Sequence, residues 1–283
     1  MPTKKRKGGR HAGKPQKKTR KIKLHKELAF AKERFELRPV PIKTDVPGFD
    51  RLIESGGIPT GTSVLVSGGP GSGKTIFCLQ LVHNLAQAGR KCFYLSFEES
   101  AERLRQRGSQ FGWNIGSLLK KGTLKIKRMD PLKVSRSIEA LYDRASGEEW
   151  IPKTQMPELT SRKNKPQIVV VDSITALESA FAGKPEHYRV YIEQLFRLLE
   201  HAGATAFLIT EPTAQDKYSR TGVEEFLADG VVAMHNFRAK FSRLRGIEIV
   251  KLRGGRHISG MVPMEITSEG IEIFPGERFF EAE

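Results

Sequence analysis

Gly68-Gly69-Pro70-Gly71-Ser72-Gly73-Lys74-Thr75 fits the phosphate-loop pattern G-x-x-x-x-G-K-[ST] without deviation. The apolar stretch Ser63-Val64-Leu65-Val66-Ser67 leads into it as a strand, and Ile76-Phe77-Cys78-Leu79-Gln80-Leu81-Val82 follows as a helix. That setting separates a working loop from a glycine-rich turn that binds nothing. Glycines let the backbone curl until successive N–H groups face one anion. The helix adds the partial positive charge of its N-terminus. Lys74 is then placed for the β- and γ-phosphates and Thr75 for Mg²⁺, with Gly68 through Ile76 as the expected nucleotide contacts. The implied ligand is a nucleoside triphosphate.

Working outward, the 283-residue chain has 38% hydrophobic residues, enough for a substantial core. No apolar run approaches the ~18 residues that a membrane helix needs. The first residues are basic and lack an apolar h-region, so no secretory signal is read there. Cys78 and Cys92 fall in a predicted helix and strand, form no C-x-x-C pair, and read as small buried hydrophobes. A cytoplasmic, reduced protein is expected, without membrane span or protein zinc site. Charge is uneven: residues 1–40 hold 15 Lys/Arg against 3 Asp/Glu, a net +12 of the chain's +16. This basic arm and linker, Gly- and Pro-bearing and poor in apolar residues, is expected to be largely disordered. It reads either as a contact for nucleic acid or an acidic partner through residues 1–26, or as a solubilising tail. No aromatic precedes Phe30, so it offers no base-stacking platform. Leu24 to Leu37 reads as a weakly helical linker.

Residues 41–283 read as one α/β domain. Cys92–Phe97 is a buried strand by its continuous apolar character, with Glu98-Glu99 at its carboxyl end, where parallel sheets place ligands. Arg103 to Phe111 suggests a helix, Thr123–Lys127 a strand and Val134 to Ala145 a helix. Residues 146–167 are polar, proline-bearing and aperiodic, and read as a surface insertion. Ile168-Val169-Val170-Val171-Asp172 ends in a carboxylate suited to Mg²⁺. Tyr188 to His201 is an amphipathic helix, and Thr205–Thr210 a core strand that ends at Glu211. From Gly230 onward the predicted strands lack intervening helices and should form antiparallel hairpins.

In order, the phosphate loop, Glu98-Glu99, Phe111-Gly112-Trp113, Val171-Asp172-Ser173, Glu224-Glu225-Phe226-Leu227-Ala228-Asp229, Lys251-Leu252-Arg253-Gly254 with His257, and Gly270–Pro275 resemble the single-domain archaeal-type KaiC-like proteins of the RecA-like ATPase superfamily. The resemblance runs from about Lys43 to Pro275. It implies a RecA-like core with a mostly parallel sheet and a C-terminal antiparallel β-meander. It also implies ATP and Mg²⁺ as cofactors, ATP hydrolysis, and a homo-oligomeric ring, most often a hexamer, with nucleotide at subunit boundaries. Glu98 and Glu99 would poise the attacking water, Glu99 being preferred, and Thr75 with Asp172 would hold the metal. Lys251, Leu252, Arg253, Gly255 and His257 would reach the neighbour's nucleotide, with Lys251 and Arg253 acting as fingers on the γ-phosphate. Thr210 and Glu211 would sense that phosphate.

The sequence also departs from the family. Two-domain clock proteins carry Ser and Thr phosphoacceptors before the residue matching Asp229, whereas Glu225 and Phe226 stand here, so a circadian autokinase is not expected. The leading reading is a Mg²⁺-dependent ATPase ring that switches a partner. Alternatives are a recombinase-like nucleic-acid-binding ATPase, or an assembly scaffold with little turnover. For the recombinase-like case, the cluster Arg238, Lys240, Arg243 and Arg245 reads foremost as a solvated hairpin tip.

Overall fold

Three apolar strand cores, Val64–Val66, Phe93–Leu95 and Val169–Val171, have no exposed position, which is the signature of parallel strands covered on both faces. In the computed structural model, whose described residues are 40–142, 156–160, 165–213, 217–239 and 242–277, this is what they become. The strands are β1 (Pro41–Ile42), β2 (Ile58–Pro59), β3 (Ser63–Gly68), β4 (Cys92–Ser96), β5 (Leu124–Arg128), β6 (Ile168–Asp172), β7 (Thr205–Thr210), β8 (Gly230–Ala239), β9 (Ser242–Leu252), β10 (Val262–Thr267) and β11 (Gly270–Ile273). The helices are α1 (Lys74–Gln87), α2 (Ala101–Ser109), α3 (Ile115–Lys121), α4 (Pro131–Tyr142), α5 (Pro157–Thr160), α6 (Ile174–Ala180), α7 (Pro185–Ala202) and α8 (Val223–Leu227). The basic arm and the linker helix fall outside the described residues.

Nine strands form one sheet in the order β11-β10-β9-β8-β3-β7-β6-β4-β5. From β8 through β5 every pairing is parallel, and from β8 through β11 every pairing is antiparallel. The first strand of the meander is therefore also the last of the parallel set, because β8 runs alongside β3. Side-chain alternation divides the core in two. Val64, Val66, Tyr94, Val170 and Phe207 pack with Phe77 and Leu81 of α1 and Leu104 of α2. Leu65, Phe93, Leu95, Val171 and Leu208 pack with Ile138 of α4, Leu177 of α6 and Tyr191 of α7.

Several expectations are refined. The 146–167 segment is not purely a surface insertion: Met156 and Leu159 are 0% and 2% exposed and belong to the second core. Their short spacing amid polar residues gave no period to read. The helix after Asp172 lacked a sequence signal because it spans under two turns. Its start is fixed by Ser173, whose hydroxyl accepts from the Ala176 N–H at 3.1 Å, a side-chain N-cap.

Two of the family-like motifs meet behind α1. The Gln80 amide accepts from Ile271 N–H at 2.7 Å and donates to Ile271 C=O at 3.2 Å, pairing helix to strand as a backbone group would. Trp113 donates to Glu269 C=O at 3.1 Å. Gly270 has φ +128°, and a Cβ there would lie 2.6 Å from the Trp113 ring. The Phe-Gly-Trp and Gly-Ile-Glu-Ile-Phe stretches thus brace the helix that carries the phosphate loop. Among the described residues, no helix is long and apolar enough to cross a membrane.

Candidate nucleotide site

β3, β4, β6 and β7 run parallel, so Gly68, Ser96, Asp172 and Thr210 all end on the same edge of the sheet. A cavity of ≈ 480 Å³ lies there, lined by the phosphate loop, Glu98, Arg107, Asp172, Ser173, Glu211 and Arg245, among others. Its floor is built for an anion. α1 begins at Lys74 with no side-chain cap and no acidic residue in its first turn, so its first N–H groups have no intrahelical acceptor. Gly73 has φ +104°, and a Cβ on Gly68 would stand 2.3 Å from Met234 C=O, so side chains are excluded where the loop bends. Lys74 is 8% exposed and its ammonium bonds Gly69 C=O at 3.1 Å and the Glu211 carboxylate at 3.2 Å. A triphosphate fits this arrangement, since its oxygens would take the place of Glu211 on Lys74.

The donors expected for Mg²⁺ come together. Thr75 Oγ1 lies 3.1 Å from Asp172 Oδ2, giving two hard oxygen ligands of the type that ion selects. Tyr94 donates to the same carboxylate oxygen at 2.6 Å, a positioning contact that no pattern in the sequence announced. Burial pushes the Asp172 carboxyl up to about 6, with Glu98 adding to the rise and the Tyr94 bond opposing it. A divalent cation would favour the ionised form and reverse that shift.

The two glutamates part company. The Ser96 hydroxyl accepts from the N–H groups of Glu98 (3.3 Å) and Glu99 (2.9 Å), which fixes the turn after β4. Glu98 then lines the cavity and accepts from Ser173 Oγ at 2.5 Å. Glu99 turns to Arg107 of α2, with Nη2 2.5 Å from Oε1, while its other oxygen is buried without a partner. The geometry therefore favours Glu98 over Glu99 as the group facing a reacting phosphate. Thr210 is 2% exposed with its hydroxyl 3.3 Å from Thr175, so it secures the strand end, while Glu211 reaches Lys74.

Arg245 also differs from its sequence reading. It donates from Nε to Gly71 C=O at 3.3 Å, and Asn236 opposite it on β8 donates to Pro70 C=O at 3.3 Å. A cation assigned to a hairpin tip is thus a wall of the cavity. The strand register that brings it there is not visible in one sequence.

Lys251, Leu252, Arg253, Gly255 and His257 are not in this cavity. Leu252 pairs with Gly230, and Gly230 lies beside Val64, at the start of β3, whereas Gly68 lies beside Met234. Four residues of strand, about 13 Å, separate the two levels. Lys251 donates to Glu225 C=O (3.0 Å) and Ala228 C=O (2.6 Å), and Arg253 to Phe226 C=O (3.2 Å) and, at 3.5 Å, the Asp229 carboxylate. Both cations therefore cover the C-terminal carbonyls of α8, a favourable position for positive charge. Burial, then Arg253, lowers the pKa of Lys251. Leu252 is 8% exposed and packs inward, Gly255 turns against it, and His257 forms a bridge to Ile53. Beside Arg253, Phe226 is 80% exposed. Glu225 accepts from the N–H groups of Tyr218 and Ser219 at 2.6 and 2.7 Å and holds that turn.

The family profile described as "ATPase: KaiC" matches residues 42–278. The circadian clock oscillator protein KaiC of Parathermosynechococcus lividus is 36% identical over 248 residues, covering 85% of this chain and 43% of the relative. That of Picosynechococcus is 35% identical over 241 residues, covering 83% and 44%. The chain thus spans less than half the length of these relatives. A crystal structure of a KaiC-like protein from Pyrococcus horikoshii superposes with a TM-score of 0.68 at 31% identity, covering 84% of this chain and all of that one. With this match across residues 42–278, which include the phosphate loop and the glutamate turn, the chain belongs to the KaiC ATPase family.

Proposed function

We propose that this chain is a Mg²⁺-dependent ATPase whose sites are each completed by a second copy, in a ring most simply of six, and whose nucleotide cycle switches a partner. The separation of Lys251 and Arg253 from the phosphate loop of their own protomer carries this reading. Two cations and the 80%-exposed Phe226 form one patch on the edge of the sheet opposite the cavity. A contact joining that patch to the cavity edge of the next copy is head-to-tail, which generates rings or filaments. ATP would supply the γ-phosphoryl group, and Mg²⁺ would neutralise charge on its oxygens. For its part, the chain holds the phosphates with the α1 N-terminus and Lys74, and Thr75 with Asp172 would hold the metal. Glu98, fixed by Ser173, orients water and takes its proton. Glu99 keeps Arg107 at the cavity wall.

Turnover per protomer in saturating Mg-ATP should then rise with protein concentration in step with particle mass measured by light scattering. Full-speed turnover by a lone protomer at every concentration would overturn the proposal.

A further inference from the structure

The hairpin of β8 and β9 outruns the sheet that carries it. Pairing of β8 with β3 ends at Met234, and pairing of β9 with β10 ends at Arg245, but β8 and β9 stay paired out to Ala239 and Ser242. The outer part is a two-stranded ribbon, a unit of marginal stability unless something covers it. It projects on the phosphate-loop side, since Asn236 and Arg245 touch that loop.

Register sorts its side chains. Asn236 lies opposite Arg245 and Arg238 opposite Arg243, so these four share one face, while Phe237 and Leu244 oppose each other on the other. Arg238 and Arg243 are exposed, and none of the three arginines has a carboxylate partner among the described residues. From Asn236 to Arg245 the sequence contains four Lys/Arg and no Asp or Glu. Like charges directly opposed across a ladder destabilise it. A solubilising hairpin has no need of that arrangement, and an acidic residue at either position would relieve it. The reverse face carries His235 stacked on Phe237 at 5.5 Å, with Phe237 and Leu244 41% and 43% exposed.

We propose that this ribbon is a nucleic-acid contact in which Arg238 and Arg243 bind backbone phosphates, independent of sequence. Charge complementarity is the reason: a cross-strand pair of guanidiniums, with Arg245 next along the same face, matches closely spaced backbone phosphates, and two-stranded ribbons enter a major groove. Arg245 would link that pair to the nucleotide cavity. The proposal does not depend on ring formation, because the arginine pair is complete within one protomer.

The test uses the full chain, with fluorescence anisotropy on a duplex and a single strand of random sequence across a KCl series. Arg238→Gln/Arg243→Gln should weaken binding about 10-fold near 100 mM salt and flatten the salt slope by about 2 per bound protomer. Arg238→Lys/Arg243→Lys should retain the wild-type slope, and basal ATPase should be unchanged in both, which also reports folding. Loss with only one probe would identify which form of nucleic acid is bound. Identical salt curves for the Gln variant and wild type would overturn the proposal. So would a Gln variant that changes particle mass but not anisotropy, which would make the ribbon a contact between copies.

Discussion

Lys74→Ala should weaken ATP binding by about 100-fold or more, the largest loss of nucleotide affinity expected in this chain. The ammonium is almost fully enclosed and already holds an anion, the Glu211 carboxylate at 3.2 Å. Charge-assisted bonds of this kind contribute about 1.5–3 kcal/mol each, and a triphosphate would take at least two. The substitution also leaves Glu211 at the cavity without its cation, so a carboxylate then repels the incoming phosphates. Folding should survive, because the ammonium bonds only Gly69 C=O and Glu211 at the cavity floor and Thr75 retains its contact with Asp172. Titration with a fluorescent ATP analogue, alongside a circular dichroism melt, measures both effects. Wild-type affinity in a folded Lys74→Ala protein would remove the phosphate loop from the site.

Glu98→Gln should leave ATP binding within about threefold and lower turnover 10²- to 10⁴-fold, the range for loss of a positioned proton acceptor. The amide preserves size and can still accept from Ser173, so the cavity keeps its shape. Glu99→Gln should cost much less, because that side chain acts through Arg107 and not on the reacting phosphate. Single-turnover hydrolysis separates this from slower product release. The reverse ranking, with Glu99→Gln inactive and Glu98→Gln active, would return the water-poising role to Glu99.

That choice between neighbours shows where a single sequence stops being readable. The phosphate loop and Asp172 were legible because their chemistry requires contiguous residues or a strand end. The α/β class followed from unbroken apolar strands such as Ile168–Val171, and the meander from strands without helices after Gly230. Adjacent glutamates look alike in sequence; only the turn fixed by Ser96 sends one to the cavity and the other to α2. Tyr94, Ser173, Arg107 and Arg245 each arrive from a different element, so no local spacing links them. Arg245 is the sharpest case, since its position depends on three strand registers at once. Met156 and Leu159 were hidden for the opposite reason: two buried residues in a polar stretch make no period.

The distance between Arg253 and its own phosphate loop makes subunit mixing the decisive measurement. Lys74→Ala protein and Arg253→Ala protein should each be nearly inactive alone. Combined rings, verified by mass, should recover part of the wild-type ATPase rate, because some boundaries pair an intact loop with an intact finger. Mixed rings that form yet stay as inactive as their parents would show that every protomer hydrolyses ATP with its own residues alone.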